Sequence, residues 1–305
     1  MKFGKLPDIS EVDFSLPPDA PGTSESIALD TSEDQSLHFY VGCTGWSMPE
    51  WVGKVYPKGT KAKDFLQHYS RQFNTIELNT THYRIPDHQM IQRWYERSPA
   101  DFKFCPKIPQ IISHSRNLGL GGEQIPAFCE AIQGLEEKLG CCFMQLPPYF
   151  GSDRLPQLAT FVSAFPNHIP LAIEVRHEDW FNDPKQAEAL FNLLAKHRMA
   201  TVLTDVAGRR DVLHMRLTNS IAMVRFVGND LVPSDYTRIN DWIERSLQWQ
   251  KAGLKEIYFF THEPDNIKAP ELAEYLSTKL ADKPAIETRG PVFYQSNDGE
   301  QMSLF

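Results

Sequence analysis

The stretch LAIEVRHEDW, residues 171–180, begins as an apolar strand and then sets Glu174, Arg176 and His177 where further Val or Ile would be expected. The same change recurs along the chain. TIELN carries Glu77 and Asn79, KFCPKI ends near Lys107, CCFMQL near Gln145, ATVLTD on Asp205, IAMVRFV near Arg225 and EIYFFTH on His262. Side chains alternate between the two faces of a strand, so each run can be given one inward parity. Thr75, Glu77 and Asn79 then share a face, as do Lys103, Cys105 and Lys107; Cys141, Phe143 and Gln145; and Ala172, Glu174 and Arg176. Thr201, Leu203 and Asp205, then Ile221, Met223 and Arg225, and Tyr258, Phe260 and His262 complete the pattern. Seven runs end in an inward polar group.

Such a cluster has a recognisable chemistry. Lys107, Arg176 and Arg225 suit an anionic ligand such as a phosphate, because guanidinium forks match phosphate oxygens. Gln145 and Asn79 would add hydrogen bonds. Glu174 is the candidate general base, tuned by Arg176 and by burial, with Glu77 as its partner and Asp205 and His262 completing the catalytic set. The competing reading is a self-satisfied salt-bridge lattice, since Glu77, Glu174 and Asp205 balance Lys107, Arg176 and Arg225 in charge. A divalent-metal-dependent hydrolase is a further alternative, with Glu77, Glu174, Asp205 and His262 as ligands. No cofactor is demanded by the sequence, no tight His spacing supports a metal, and neighbouring cations would weaken one. His114 and His177 follow strands and belong to the rim. Trp46, Tyr83 and Trp180 also follow strands, where they can stack on a ligand or cap the core. Gly119, Gly121 and Gly122 lack the Lys-Ser of a phosphate loop and read as flexible loop.

The elements that must position these groups alternate. Eight β-branched and aromatic runs, FYVGC, TIELN, KFCPKI, CCFMQL, LAIEV, ATVLTD, IAMVRFV and EIYFFTH, are separated by helical patterns over 61–73, 89–97, 123–138, 156–165, 185–197, 235–251 and 269–280. Only the sixth connection, VAGRRDVLHMRLTNS, makes a weak helix. Strand–helix alternation implies parallel pairing, and eight units over about 250 residues predict a (β/α)8 TIM barrel with ligands at the C-terminal strand ends. A doubly wound sheet is the alternative. The α/β domain spans 37–289, preceded by an acidic, Pro- and Ser-rich arm over 1–36 and followed by a tail over 290–305.

The chain has 305 residues, 41% hydrophobic, with a net charge of −8. The arm holds −6 of that, leaving the body near neutral, so no direct, non-specific nucleic-acid binding is expected. No run is long enough for a membrane helix and no signal-peptide core is visible, which leads to the expectation of a cytoplasmic protein. Five cysteines without Cys-x-x-Cys spacing suggest neither a disulfide framework nor a zinc ribbon.

With these residues in place, the chain resembles the YecE-like family, domain of unknown function 72. The matching stretches are VGCTGWSMPEW with VYP, FNTIELNTTHYRIP, RWYERSPADFKFCPKIPQIISH, LGCCFMQLPPYF, EVRHEDW and VLTD, over roughly residues 38–282. The resemblance implies a TIM barrel but no established reaction, which leaves an enzyme of the hydrolase or lyase kind as the expectation. Two departures stand out. The family's usual Arg-x-His-Gly reads RFVG here, with Val227 at the His position, and FTHEPD replaces an Asn-rich turn, so that any catalytic role of that histidine would be lost or moved to His262.

The last five residues, Gln301, Met302, Ser303, Leu304 and Phe305, resemble the pentapeptide by which bacterial proteins bind the sliding clamp. A Gln donor and apolar anchors, each worth roughly 1.5–3 kcal/mol if buried, would support a micromolar interaction after ordering costs. A non-catalytic adaptor for the clamp is therefore the second functional expectation.

Overall fold

The computed structural model describes residues 4–28, 36–283 and 285–294. The pentapeptide at 301–305 lies outside the described residues. The eight expected strands appear in order: β1 Leu37–Gly42, β2 Thr75–Leu78, β3 Lys103–Pro106, β4 Cys142–Gln145, β5 Leu171–Glu174, β6 Ala200–Asp205, β7 Ile221–Val227 and β8 Glu256–His262. A ninth, β9, covers Ile286–Arg289. All pairings are parallel, in a seven-stranded sheet ordered β4-β5-β6-β7-β8-β1-β9 and a two-stranded sheet β2-β3. Isolated bridges, Phe104 to Leu139 and Lys107 to Phe143, tie β3 to β4. The Glu77 N–H donates to Cys43 O at 3.1 Å and ties β2 to β1. This is an α/β architecture consistent with a TIM-like barrel.

The contact between β1 and β2 has an unusual form. β9 pairs with Leu37 to Tyr40 of β1, and β2 meets β1 beyond that point. Asn74 bridges the gap with its side chain, accepting from Val41 N–H at 2.6 Å and donating to Phe39 O at 3.0 Å. A Cβ on Gly42 would stand 2.3 Å from Thr75 O, so the two backbones approach more closely than any side chain at that position permits. β9 was not foreseen, because IETR is short and lacks an apolar alternation.

Helices follow every strand of the eight except β6. After β2, His88–Arg97 starts on Asp87, whose carboxylate accepts Met90 N–H at 2.8 Å, and it buries Ile91 and Trp94 three residues apart. After β5, Pro184–Lys196 begins with Asp183 as cap and Pro in its first turn, and buries Leu190, Phe191 and Leu194. After β7, Pro233–Ala252 ends on Gly253 in the left-handed conformation, φ 108°. After β6 there is only a 3-10 turn, Arg210–Val212, as the sequence pattern predicts.

Among the described residues, three apolar clusters hold the elements. Two lie between strands and helices. The third gathers Tyr40, Cys105, Cys141, Phe143, Ala172, Ala200, Val202, Met223, Tyr258 and Phe260 from the opposite strand faces, and it forms the floor beneath the charged strand ends. Each fully buried large apolar side chain contributes about 1.5–3 kcal/mol. The arm docks by ordered contacts. Gly4 O accepts Gly208 N–H at 2.8 Å, Asp19 accepts Trp249 Nε1–H at 2.9 Å and pairs with Arg245, and Phe14 lies beneath the Arg238 guanidinium at 4.8 Å.

The close approach at Gly42 gives a direct check. Gly42→Ala should lower stability by about 1–3 kcal/mol in chemical denaturation, whereas Gly45→Ala, where a Cβ meets nothing within 4 Å, should stay within about 0.5 kcal/mol of the parent.

Candidate functional site

Arg225 stands at the centre of the charged strand ends. It lies beside Thr204 of β6 and Phe260 of β8 in register, and it is 2% exposed. Its Nε donates to Glu77 Oε2 at 2.8 Å and its Nη2 to Glu77 Oε1 at 3.0 Å, a bidentate fork. Its Nη1 donates to Glu174 Oε2 at 3.0 Å. One guanidinium therefore joins the carboxylates of β2 and β5, strands that do not pair with each other.

A second ring of contacts fixes the carboxylates. Glu174 accepts from Arg176 Nε at 2.8 Å, Gln145 Nε2 at 2.7 Å and Thr204 Oγ1 at 3.2 Å. Glu77 accepts from Asn79 Nδ2 at 2.9 Å, and His262 Nε2 lies 3.0 Å from its Oε2. Lys107 donates to Gln145 Oε1 at 3.0 Å, with the Phe143 ring 5.8 Å from its ammonium. Glu77, Asn79, Lys107, Gln145, Glu174, Arg176, Arg225 and His262 are thus brought together as the strand parity implied.

Asp205 is not. The strand pattern gives it an inward role among the catalytic and metal-ligand candidates, but its carboxylate is on the outer face of β6. There it pairs with Arg210 and, at 2.8 Å, with Arg238, and accepts the Trp242 indole N–H at 2.8 Å. The inward residues of β6 are Ala200, Val202 and Thr204. Arg238 and Trp242, on the helix after β7, supply the partners that turn Asp205 outward, and the strand sequence alone does not contain them. The four residues considered as a metal set therefore do not converge, and the oxygens of Glu77 and Glu174 face guanidinium groups. Among the described residues no group of three or more His, Cys, Asp or Glu is arranged to hold a metal ion.

Removing Asp205 changes the charge balance. Among the described residues, two carboxylates, Glu77 and Glu174, face three cations, Arg225, Arg176 and Lys107, which leaves one positive charge in excess. Burial opposes ionisation of Glu174, but Arg176 and Arg225 with the Gln145 amide outweigh it and hold the carboxyl at about 2. Burial is likewise overcome at Glu77 by Arg225 and His262, which hold it well below the usual carboxylate range. Burial, followed by repulsion from Arg225, depresses the Lys107 ammonium to about 8. Burial also lowers His262, against the pull of Glu77.

The rim carries histidines, aromatic rings and Arg84. His82, which sequence reasoning passed over, lies with its ring 5.4 Å from that of His114. Burial and then Lys107 push His82 down to about 4, and lower His114 in the same way. Both line a cavity of about 680 Å³ with Tyr83, Arg84, Gln110 and Ile111. Tyr83 is 82% exposed there. His177 lies 3.4 Å from Asp179. Trp46 packs edge-on against Trp94 at 5.9 Å, and Trp180 is buried with its N–H on Phe150 O at 2.8 Å, so it caps the core. Val227 stands opposite His262 in register. Thr204 was also missed, since a hydroxyl beside an aspartate carries the weaker signal.

The fold and this site define an α/β protein whose parallel strands converge on a buried arginine–carboxylate cluster. Residues 40–293 match the family described as protein of unknown function DUF72, and the chain belongs to it. It is 30% identical over 255 residues to the UPF0759 protein YecE of Escherichia coli K12, covering 78% of this chain and 90% of that one. The UPF0759 protein YunF of Bacillus subtilis is 28% identical over 160 residues, half of this chain and 55% of its own. A DUF72 family protein of Enterococcus faecalis V583 shares the fold, with a TM-score of 0.63 at 20% identity over 82% of this chain and 99% of that one.

Neutralising one carboxylate leaves a buried guanidinium short of a partner. Glu77→Gln should therefore cost about 3–5 kcal/mol in denaturant unfolding. The depressed carboxyls also contribute stability that is fully present above the ordinary value near 4.5 and is lost as pH falls toward 2. Acid unfolding of the parent should steepen across that window, and Glu174→Gln should flatten it.

Proposed function

We propose that the chain is a (β/α)8 barrel enzyme that binds a small phosphate-bearing or otherwise anionic substrate at the C-terminal strand ends and transfers a proton there. The observation that carries this reading is the excess positive charge. Lys107 is 8% exposed, donates to one neutral amide oxygen, and belongs to a cluster with more cations than carboxylates. Burying such a charge is costly unless an anion meets it.

The proton-transfer role is best assigned to Lys107. Glu174, held ionised down to about 2, and Glu77, held well below the usual carboxylate range, are weak bases and act by fixing Arg225 and Arg176. Lys107, at about 8, is charged in most molecules at pH 7, while roughly a tenth carry the neutral amine. The same nitrogen can therefore hold a substrate oxyanion and, once deprotonated, accept a proton from a substrate hydroxyl or water. His262, buried against Glu77, would orient that carboxylate. The rim histidines and Tyr83 would contact the remainder of the substrate.

Titration with inorganic phosphate, followed calorimetrically, tests the reading. Affinity should fall at least tenfold in Lys107→Met, and about tenfold between pH 7 and pH 9 in the parent as the ammonium loses its charge. Phosphate binding indifferent to both changes would remove Lys107 from the site.

A further inference from the structure

His82 closes the 3-10 turn Asn79–His82 that follows β2, and this turn is fastened to the end of β3. Thr81 Oγ1 donates to Lys107 O at 2.7 Å, and His82 Nδ1 meets Ile108 O at 3.1 Å. A carbonyl oxygen only accepts, so His82 Nδ1 carries the ring hydrogen and Nε2 carries a lone pair. Burial and then Lys107 push the ring down to about 4, so that lone pair is present at neutral pH. Among the described residues no hydrogen-bond partner takes Nε2. The atom is also not one of the fully buried side-chain atoms that lack a partner, so it is open to solvent.

His82 lines the rim cavity of about 680 Å³, a volume ordinary for a small-molecule site. Tyr83 is 82% exposed and Ile111 59% exposed in the same wall. Tyr83 meets the His82 ring edge-on at 5.4 Å, and its exposure leaves the ring face free to stack. Side chains of this size forgo about 1.5–3 kcal/mol each by staying in water, which a ligand recovers by covering them. The remaining polar groups are chiefly neutral, the amides of Gln110 and Gln124 and the Ser115 hydroxyl. Arg84 is exposed, with no ion pair or hydrogen bond among the described residues, and no carboxylate lines the wall.

We propose that the anionic substrate is a nucleoside 5′-phosphate whose base carries an exocyclic amino group, with the base stacked on Tyr83, its amino N–H donated to His82 Nε2, and its phosphate at Lys107. The assignment rests on the anion reading given above for Lys107. The two ends of the site are neighbours, because Thr81 and His82 bond to the consecutive carbonyls of Lys107 and Ile108. The Lys107 charge is also felt at both His82 and His114. A flat ring with a phosphate tail uses each part: the ring covers the apolar wall, and the phosphate takes the excess positive charge. A sugar phosphate fits this wall less well, since hydroxyls all round a ring call for several acceptors and the wall offers no carboxylate.

The test is calorimetric titration of the full chain with three phosphates. Adenosine 5′-monophosphate is the probe, purine riboside 5′-monophosphate lacks only the amino group, and ribose 5-phosphate lacks the base; inorganic phosphate reports on Lys107 alone. The adenine nucleotide should bind at least tenfold more tightly than ribose 5-phosphate, and loss of the amino group should cost about fivefold. Tyr83→Ala, at an exposed position, should bring the adenine nucleotide down to the affinity of ribose 5-phosphate and leave inorganic phosphate binding unchanged. His82→Ala should erase the difference between the two purine nucleotides. With phosphate still bound at Lys107, equal affinity for the adenine nucleotide and ribose 5-phosphate, equal affinity for the two purine nucleotides, or full nucleotide affinity in Tyr83→Ala would each overturn the proposal and leave the anion reading standing. A chain that binds no phosphate would instead remove the anion reading, and the nucleotide assignment with it.

Discussion

The fork of Arg225 on Glu77, with its third nitrogen on Glu174, is the constraint from which the rest of the site follows. A guanidinium cannot shed its charge within a protein, so burying it at 2% exposure obliges the fold to bring it anions. Those anions come from β2 and β5, which are not neighbours in the sheets. The ion pairs therefore tie together strands that share no backbone pairing, above the floor of Tyr40, Phe143, Met223 and Phe260. Buried ion pairs are poor sources of net stability compared with apolar packing of the same volume. Their presence here is better understood as holding a charged surface in one geometry.

That geometry separates two tasks that carboxylates and cations usually share. Glu77 and Glu174 are kept ionised by their neighbours and have no titration near neutrality. Lys107, at the edge of the cluster, is the group brought into a useful range. Gln145 is the hinge between them, since its amide donates to Glu174 while its carbonyl oxygen accepts from Lys107. Its two ends thus couple the ionised network to the titrating amine.

Much of this was legible in the sequence because strand parity is a strict rule: Glu77, Gln145, Glu174, Arg225 and His262 all fall on the side it implies. The exception was decided outside the strand. Thr204 and Asp205 are adjacent polar residues, and the stronger charge drew the assignment inward, but Arg238 and Trp242, more than thirty residues downstream, hold Asp205 on the other face. The weak sixth connection was readable from its composition. β9 was not, since four residues of mixed polarity carry no period.

The arm shows a related limit. Its acidic, Pro- and Ser-rich composition marks it off from the strand–helix pattern, but the partners that Phe14 and Asp19 find on the helix Pro233–Ala252 lie more than two hundred residues away and cannot be read from the arm itself. Acidic residues there neutralise arginines on the body, so the overall charge of −8 says little about the sign of any one surface.

The central claim is that Arg225 is committed to its two carboxylates and that the excess positive charge lies at Lys107. A crystal structure of the protein grown at pH 7 with inorganic phosphate tests it most directly. The account predicts a phosphate oxygen within hydrogen-bond distance of Lys107 Nζ, with Arg225 still forked on Glu77. Phosphate density elsewhere, or an Arg225 that leaves Glu77 and Glu174 to meet the anion, would contradict it.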